Sequence, residues 1–175
     1  MLVSACLLGI PCTHDASART SEEVVSLGDP RGAGWRLVAV CPETAGGLPT
    51  PRPAAERSSV DGQVRTKTGT DLTSAYERGA AHAVALARAT GATLAILKAR
   101  SPSCGCDEIY DGTFTRTRVA GAGVTATALR SAGLRVLSEE DPVLLRRRTP
   151  GGPGGDSGVG QRGQVQPPHG AAGHA

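Results

Sequence analysis

The chain contains five cysteines, a residue type that binds metals, exchanges disulfides or simply fills buried space. Cys6 and Cys12 are separated by five residues, Cys41 stands alone, and Cys104 and Cys106 flank one glycine in the stretch RSPSCGC. A structural zinc site normally has four ligands, usually with CxxC pairs, and this sequence contains no CxxC. An iron–sulfur cluster accepts cysteines from separate loops, and three ligands leave one iron open to a substrate. A redox pair, Cys104 with Cys106 or Cys6 with Cys12, also fits the spacing but would not explain Cys41.

Groups that transfer protons or donate hydrogen bonds lie next to these cysteines. Glu43 closes the sequence CPE, whose proline stiffens the turn. In an apolar setting at a sheet edge the pKa of Glu43 would rise, which suits a proton donor or acceptor. The alternative is a helix-capping or solvent-exposed glutamate. Ser101 and Ser103 precede Cys104, and their hydroxyls could bind a substrate or a cluster sulfur, or could only stabilise a turn.

Four short apolar runs have the length and composition of buried strands. They are MLVSA (1–5), RLVAV (36–40), LAILK (94–98) and LRVLS (134–138). Helical patterns lie between them over 20–28, where Thr20 and Glu23 form a capping-box pattern, over 70–91 and over 123–133. This alternation predicts an α/β fold, a single domain with a mainly parallel sheet flanked by helices.

Three of the predicted strands end at a cysteine or shortly before one. Cys6 follows the first strand directly, Cys41 follows the second, and Cys104 comes six residues after the third. Open α/β sheets bind ligands beyond the carboxyl ends of their strands. A single buried cysteine is more often a small hydrophobic residue, but three at strand ends favour a shared site.

Polar residues in two loops are further candidates. The segment GGLPTPRPAAE (46–56) predicts a rigid, irregular loop that is long for a mere connection. Arg52 and Glu56 within it could pair with each other, or Arg52 could face an anionic ligand. His14 and Asp15 near Cys12 could add ligands, although polar loop residues usually have no such role.

Composition and charge restrict the partners. Aromatic residues make up 2% of the chain, too few for a platform that stacks single-stranded nucleic acid, and residues 1–141 carry 15 basic and 15 acidic side chains. A secretory signal would require a positively charged start, and no basic residue precedes Arg19. No apolar run approaches the ~18 residues of a membrane span. We therefore expect a cytoplasmic protein with no membrane segment and no nucleic-acid partner, whose cysteines are reduced, metal-bound or catalytic.

The C-terminal segment differs from the rest of the chain. From about Thr149 it is rich in Gly, Pro, Gln and Ser, and it cannot bury enough apolar surface to fold. The net positive charge of the chain comes from residues 142–175, mainly from the run Arg146–Arg148. We predict a folded domain over 1–148 and a disordered Gly/Pro-rich tail over 149–175.

Six blocks of the sequence, taken in order, carry a resemblance to a known family. They are VSACLLGIPC (3–12), VCPETAGGLPTPRPAAE (40–56), TGTDLTSAYERGA (68–80), ILKARSPSCG (96–105), IYDGTF (109–114) and GAGVTATALRSAGLRVLSEE (121–140). Their order and spacing resemble the family first catalogued as domain of unknown function 523, to which thiouracil desulfurases of the TudS type belong.

The resemblance implies a specific site and reaction. It implies a [4Fe-4S] cluster bound by Cys6, Cys41 and Cys104, whose fourth iron takes the sulfur of a thiolated base as a Lewis acid. Glu43 matches the family's acid/base carboxylate and Ser101 its active-site serine. The implied reaction converts a thiouracil-type base, a small molecule, to the oxygenated base and releases sulfide, without net electron transfer.

Some features depart from that pattern, and other functions stay open. Many members have Tyr-Asp-Gly where this chain has residues 14–16, His-Asp-Ala. Cys12 and Cys106 match none of the three implied ligands, and we interpret them as supporting or incidental residues. One alternative is a non-catalytic iron–sulfur or zinc protein that handles sulfur or metal. Another is an enzyme acting on thiolated tRNA, favoured only by the arginine run at 146–148.

Overall fold

The computed structural model describes residues 1–31 and 34–145. The elements of this part of the chain are, in order, β1 (Leu2–Ser4), a 3₁₀ turn (Ala5–Leu8), α1 (Glu22–Ser26), β2 (Val38–Val40), α2 (Pro42–Ala45), β3 (Ala55–Arg57), β4 (Val64–Thr66), α3 (Thr73–Thr90), β5 (Leu94–Leu97), β6 (Glu108–Tyr110), β7 (Arg118–Ala120), α4 (Val124–Ser131), β8 (Arg135–Ser138) and α5 (Pro142–Leu145). None of the helices in these ranges is long and apolar enough to cross a membrane. The arginine run at 146–148 and the tail predicted over 149–175 lie outside the described residues.

A four-stranded parallel sheet forms the centre of the domain, in the order β2-β1-β5-β8. Alternate side chains of its strands enter two different cores. Leu2 and Leu97 pack towards α3 and α4, whereas Val3 and Ile96 pack towards α1 and the start of the chain, and all four are fully buried. Burial on both faces explains why these strands are continuous apolar runs. The prediction of an α/β domain with a mainly parallel sheet is confirmed.

Small residues allow α2 and α3 to approach each other closely. A Cβ atom at Gly79 of α3 would lie 1.9 Å from the carbonyl oxygen of Pro42 in α2, and one at Gly46 would lie 2.0 Å from the carbonyl oxygen of Ala75. Only hydrogen atoms at these two positions leave room for such an approach. Because α2 begins directly after β2, this packing fixes the short helix at the end of that strand.

The structure departs from the sequence-based elements at the cap of α1, and it contains elements that were not predicted, among them the short helices α2 and α5. Helix α1 is capped by Ser21, whose hydroxyl accepts the N–H of Val24 at 3.3 Å, and not by Thr20 as the capping-box pattern predicts. Two hairpins, β3 with β4 and β6 with β7, were not predicted. Each of their strands has three residues and mixed polarity, so no alternating pattern is long enough to identify them. The hairpins pack beside each other near the carboxyl edge of the main sheet.

Candidate active site

A cavity of about 570 Å³ opens at the carboxyl ends of β1, β2 and β5. Cys6, Cys41 and Cys104 all line it. Cys6 lies in the 3₁₀ turn after β1, and Cys41 is the N-cap residue of α2, directly after β2. Cys104 lies in the turn after β5. A hydrogen bond of 2.8 Å from the Gly105 N–H to the Ser101 carbonyl closes this turn. The structure therefore brings together the three cysteines that the strand-end argument grouped.

Burial of these thiols is the main electrostatic feature of the cavity. Burial raises the pKa of the Cys6 thiol to about 11, and the neighbouring Cys41 adds to the shift. Burial also raises the pKa of Cys104 strongly, with smaller contributions from Glu43, Cys6 and Cys41. Isolated thiolates are thus unfavourable here, whereas thiolates bonded to positively charged iron would have their charge balanced. The donor set fits an iron–sulfur cluster held by three cysteines.

The other two cysteines occupy different environments. Cys12 lines the same cavity, and the Cys41 thiol donates to its carbonyl oxygen at 3.7 Å. Burial and then the neighbouring Cys41 raise the pKa of the Cys12 thiol to about 12. Cys106 is absent from the cavity wall and packs in the core beneath α4, its thiol directed to the Cys104 carbonyl at 3.5 Å. Within the described ranges, no three His, Cys, Asp or Glu side chains form a group that could hold a single metal ion.

Glu43 lines the cavity too, but its surroundings differ from the apolar setting that the sequence suggested. Its carboxylate oxygen Oε2 accepts a hydrogen bond from Arg52 Nε at 2.7 Å and forms an ion pair with Arg52 Nη2 at 2.6 Å. The predicted ion pair between Arg52 and Glu56 is therefore wrong, because the path of the loop brings Arg52 to Glu43 of α2. The buried Tyr76 hydroxyl is next to the same carboxylate, and burial followed by Glu43 raises the pKa of Tyr76 well above its ordinary value.

The two serines of the RSPSC segment have separate roles. Ser101 lines the cavity, and its Oγ accepts the backbone N–H groups of Ser103 and Cys104, both at 3.1 Å. Because that oxygen already accepts two hydrogen bonds, its own hydrogen is the part that can reach an acceptor in the cavity. Ser103 is fully buried and pairs with Thr125 at 2.9 Å, so it does not face the site.

An aromatic wall, made of Tyr76, Tyr110 and Phe114, lines the cavity and was missed by sequence reasoning. The chain has four aromatic residues, and three of them lie at this one site. Glu56 holds the segment in place, because its Oε2 accepts the N–H groups of Gly112 at 3.1 Å and Phe114 at 2.9 Å. Phe114 has a φ of 58°, a strained conformation for this residue type. All three residues lie in blocks that carry the family resemblance, 68–80 and 109–114, and that was the signal that could have identified them.

Charged residues around the cavity are compensated within the protein. Four basic side chains on its wall form ion pairs: Arg52 with Glu43, Arg19 with Asp15, Lys98 with Glu139 and Arg100 with Glu140. Of the loop residues considered as extra ligands, His14 lines the cavity, whereas Asp15 is occupied by Arg19 and by nearby hydroxyls. The wall thus combines thiols, the carboxylates of Glu43 and Glu56, hydroxyls and aromatic rings, and its basic side chains are already paired, which suits a planar, uncharged ligand.

Comparisons with known proteins agree with this arrangement. The chain matches the 2-thiouracil desulfurase family model over residues 1–141, which include every residue of the cavity. The uncharacterized protein YbbK of Bacillus subtilis (strain 168) is 42% identical over 149 residues, covering 81% of this chain and 96% of that protein. The solved structure of a [4Fe-4S]-dependent thiouracil desulfidase, TudS, has a TM-score of 0.74 and 44% identity, covering 84% of this chain and 95% of that one. The chain therefore belongs to the 2-thiouracil desulfurase family.

Proposed function

We propose that this protein removes sulfur from a thiolated nucleobase of the thiouracil type, using a [4Fe-4S] cluster bound by Cys6, Cys41 and Cys104. The observation that carries the proposal is the meeting of three cysteines from three strand ends in one cavity with Glu43 and Ser101. Membership of the desulfurase family and the similarity to a [4Fe-4S]-dependent relative support the same cofactor and reaction.

The reaction is a hydrolysis. A thiocarbonyl group and water give a carbonyl group and hydrogen sulfide, so atoms and electrons balance without an oxidant or a reductant. The bound cluster would supply an iron that has no protein ligand and can act as a Lewis acid towards the substrate sulfur. The protein must supply proton transfer, orientation of the base and shelter from bulk water.

Glu43 is the group suited to proton transfer. Its carboxylate can accept a proton from the water that adds to the thiocarbonyl carbon and can return a proton to the departing sulfur. Its side chain is 15% exposed, so the carboxylate reaches the cavity while most of it is shielded from solvent. The Ser101 hydroxyl can donate a hydrogen bond to a ring nitrogen or carbonyl oxygen, which would orient the base for this transfer.

The cavity is of the size and polarity expected for a small-molecule substrate. A volume of about 570 Å³ lies within the range of small-molecule sites, and the aromatic wall offers surfaces on which a flat pyrimidine can stack. The basic side chains of the wall are already paired, which favours a neutral base as the substrate.

All five cysteines are free thiols, and we place the protein in the cytoplasm, where thiols stay reduced.

The test uses full-length protein purified and reconstituted without oxygen. We expect it to bleach the thione absorbance of 2-thiouracil or 4-thiouracil and to release one sulfide per base converted. Glu43→Gln should lower kcat by about 100-fold or more at unchanged iron content, whereas Glu77→Gln, an exposed glutamate of α3, should have no effect. A colourless zinc protein would overturn the cofactor, and a cluster-bearing protein inert towards every thiolated base would overturn the function.

A further inference from the structure

Arg52 is a buried cation whose hydrogen bonds all point into the protein. Its side chain is 3% exposed. Besides its two contacts with Glu43, its Nη2 donates to the Cys12 carbonyl at 3.0 Å, and its Nη1 donates to the Pro49 carbonyl at 3.1 Å and to the Thr50 hydroxyl at 3.2 Å. Arg52 is therefore not available to bind an anionic ligand.

These bonds connect three separate segments at one point. The guanidinium joins the Glu43 carboxylate of α2, the loop that carries Cys12, and the loop at Pro49 and Thr50. The Arg52 backbone N–H also donates to the His14 carbonyl at 2.8 Å, which ties the same two loops together. A lysine could not reproduce this, because its ammonium lacks the planar fork of donors.

The Glu43 side chain needs contacts that fix its conformation. It lies in the first turn of α2, which has only four residues, and a glutamate side chain has three rotatable bonds. Proton transfer requires the carboxylate within hydrogen-bonding reach of the reacting atoms, and a displacement of about 1 Å is enough to reduce a rate by about 100-fold. The hydrogen bond from Arg52 Nε and the ion-pair contact of Arg52 Nη2, both to one carboxylate oxygen, restrict where the carboxylate can lie, together with the neighbouring Tyr76.

We propose that Arg52 is a positioning residue that holds the Glu43 carboxylate in its working orientation in the desulfuration reaction. The proposal rests on the proposed function and assigns to Arg52 no contact with the substrate. Arg52 would then affect turnover only through Glu43, and its removal would have no further effect once the Glu43 carboxylate is gone.

The experiment is a double-mutant cycle in the reconstituted holoenzyme, with Arg52→Lys, Glu43→Gln and the double variant. We expect Arg52→Lys to lower kcat by at least about tenfold, with KM changed by less than about twofold and the iron content and cluster absorbance unchanged. The double variant should be as slow as Glu43→Gln alone. The matched control is Arg57→Lys, because Arg57 also bonds two carbonyl groups, those of Gly62 and Ala122, but does not line the cavity.

Three results would overturn the proposal. The first is an unchanged kcat in Arg52→Lys. The second is a double variant whose kcat falls by the product of the two single-variant decreases. The third is an Arg52→Lys protein that loses iron in proportion to its activity, which would show that Arg52 is merely structural. If unmodified protein converts no thiolated base, the proposed function fails separately. The link between Arg52 and Glu43 is then judged by the same cycle in urea unfolding of the apoprotein, where additive shifts of the midpoint would refute it and non-additive shifts would support it.

Discussion

The contact between α2 and α3 gives a prediction that links packing to the active site. In Gly79→Ala the new methyl group would start 1.9 Å from the Pro42 carbonyl oxygen, whereas real Cβ atoms essentially never lie within 3.0 Å of such an atom. The opposing atoms are backbone and cannot turn aside as a flexible side chain can, so α2 must move by about 1 Å. That helix carries Glu43 and begins directly after Cys41.

The magnitude follows from two opposing effects. Overpacking a fixed contact costs about 1–3 kcal/mol, and more when backbone must shift, whereas alanine is more favourable than glycine inside a helix by about 1 kcal/mol. We expect a net destabilisation of about 2 kcal/mol. A displacement of about 1 Å at Glu43 should lower kcat by about 100-fold in whatever fraction of the protein still binds iron.

The assay is urea unfolding of the apoprotein, followed by iron and activity measurements after reconstitution. His82→Ala, on the exposed side of the same helix, is the control for helix propensity alone and should leave stability unchanged or slightly higher. A Gly79→Ala protein that is stabilised by about 1 kcal/mol, with normal iron content and turnover, would show that the close contact between α2 and α3 does not exist.

Three further predictions concern single residues of the site and its loops. Ala16 has a φ of 57°, so Ala16→Gly should stabilise the apoprotein by about 1 kcal/mol and raise Tm by about 3 °C in a thermal scan, and a lower Tm would contradict the assignment of strain. Phe114→Ala should raise KM for thiouracil about tenfold at constant iron content, because a stacked base loses its ring partner; an unchanged KM would exclude stacking there. Cys12→Ala should keep the iron content of the unmodified protein although Cys12 lines the cavity, and loss of iron would make Cys12 a ligand.

Much of the fold could be predicted because its central strands are buried on both faces. That burial produces short apolar runs, and the structure places β1, β2, β5 and β8 inside the four runs identified. The end of α3 was also predictable, since Gly91 has the left-handed conformation expected after a helix. The hairpins were not predictable, because their three-residue strands are stabilised by contacts with distant parts of the chain and have no pattern of their own.

The candidate site was predictable as far as topology decides it. Parallel strands bring their carboxyl ends to one edge, which is why Cys6, Cys41 and Cys104 could be grouped from position alone. The partner of Arg52 could not be inferred in the same way. Glu56 lies four residues from it and Glu43 nine, and only the path of the intervening loop selects the more distant carboxylate.

The directions of individual side chains were beyond the sequence as well. Ser101 and Ser103 are two residues apart in the same segment, yet one lines the cavity and the other is fully buried against Thr125. The geometry of the turn after β5 sets this difference, and no local pattern encodes it. The aromatic wall likewise combines residues from α3 and from the hairpin that β6 and β7 form.

Iron and acid-labile sulfide counting on anaerobically reconstituted protein tests whether Cys6, Cys41 and Cys104 bind a [4Fe-4S] cluster. Four proteins are compared with the unmodified chain: Cys6→Ala, Cys41→Ala, Cys104→Ala and the control Cys106→Ala, whose buried thiol lies outside the cavity. We expect about four irons and four sulfides in the unmodified protein and in Cys106→Ala, and their loss in the other three. Full iron content in any of those three, or loss of the cluster only in Cys106→Ala, would show that Cys6, Cys41 and Cys104 are not the three ligands.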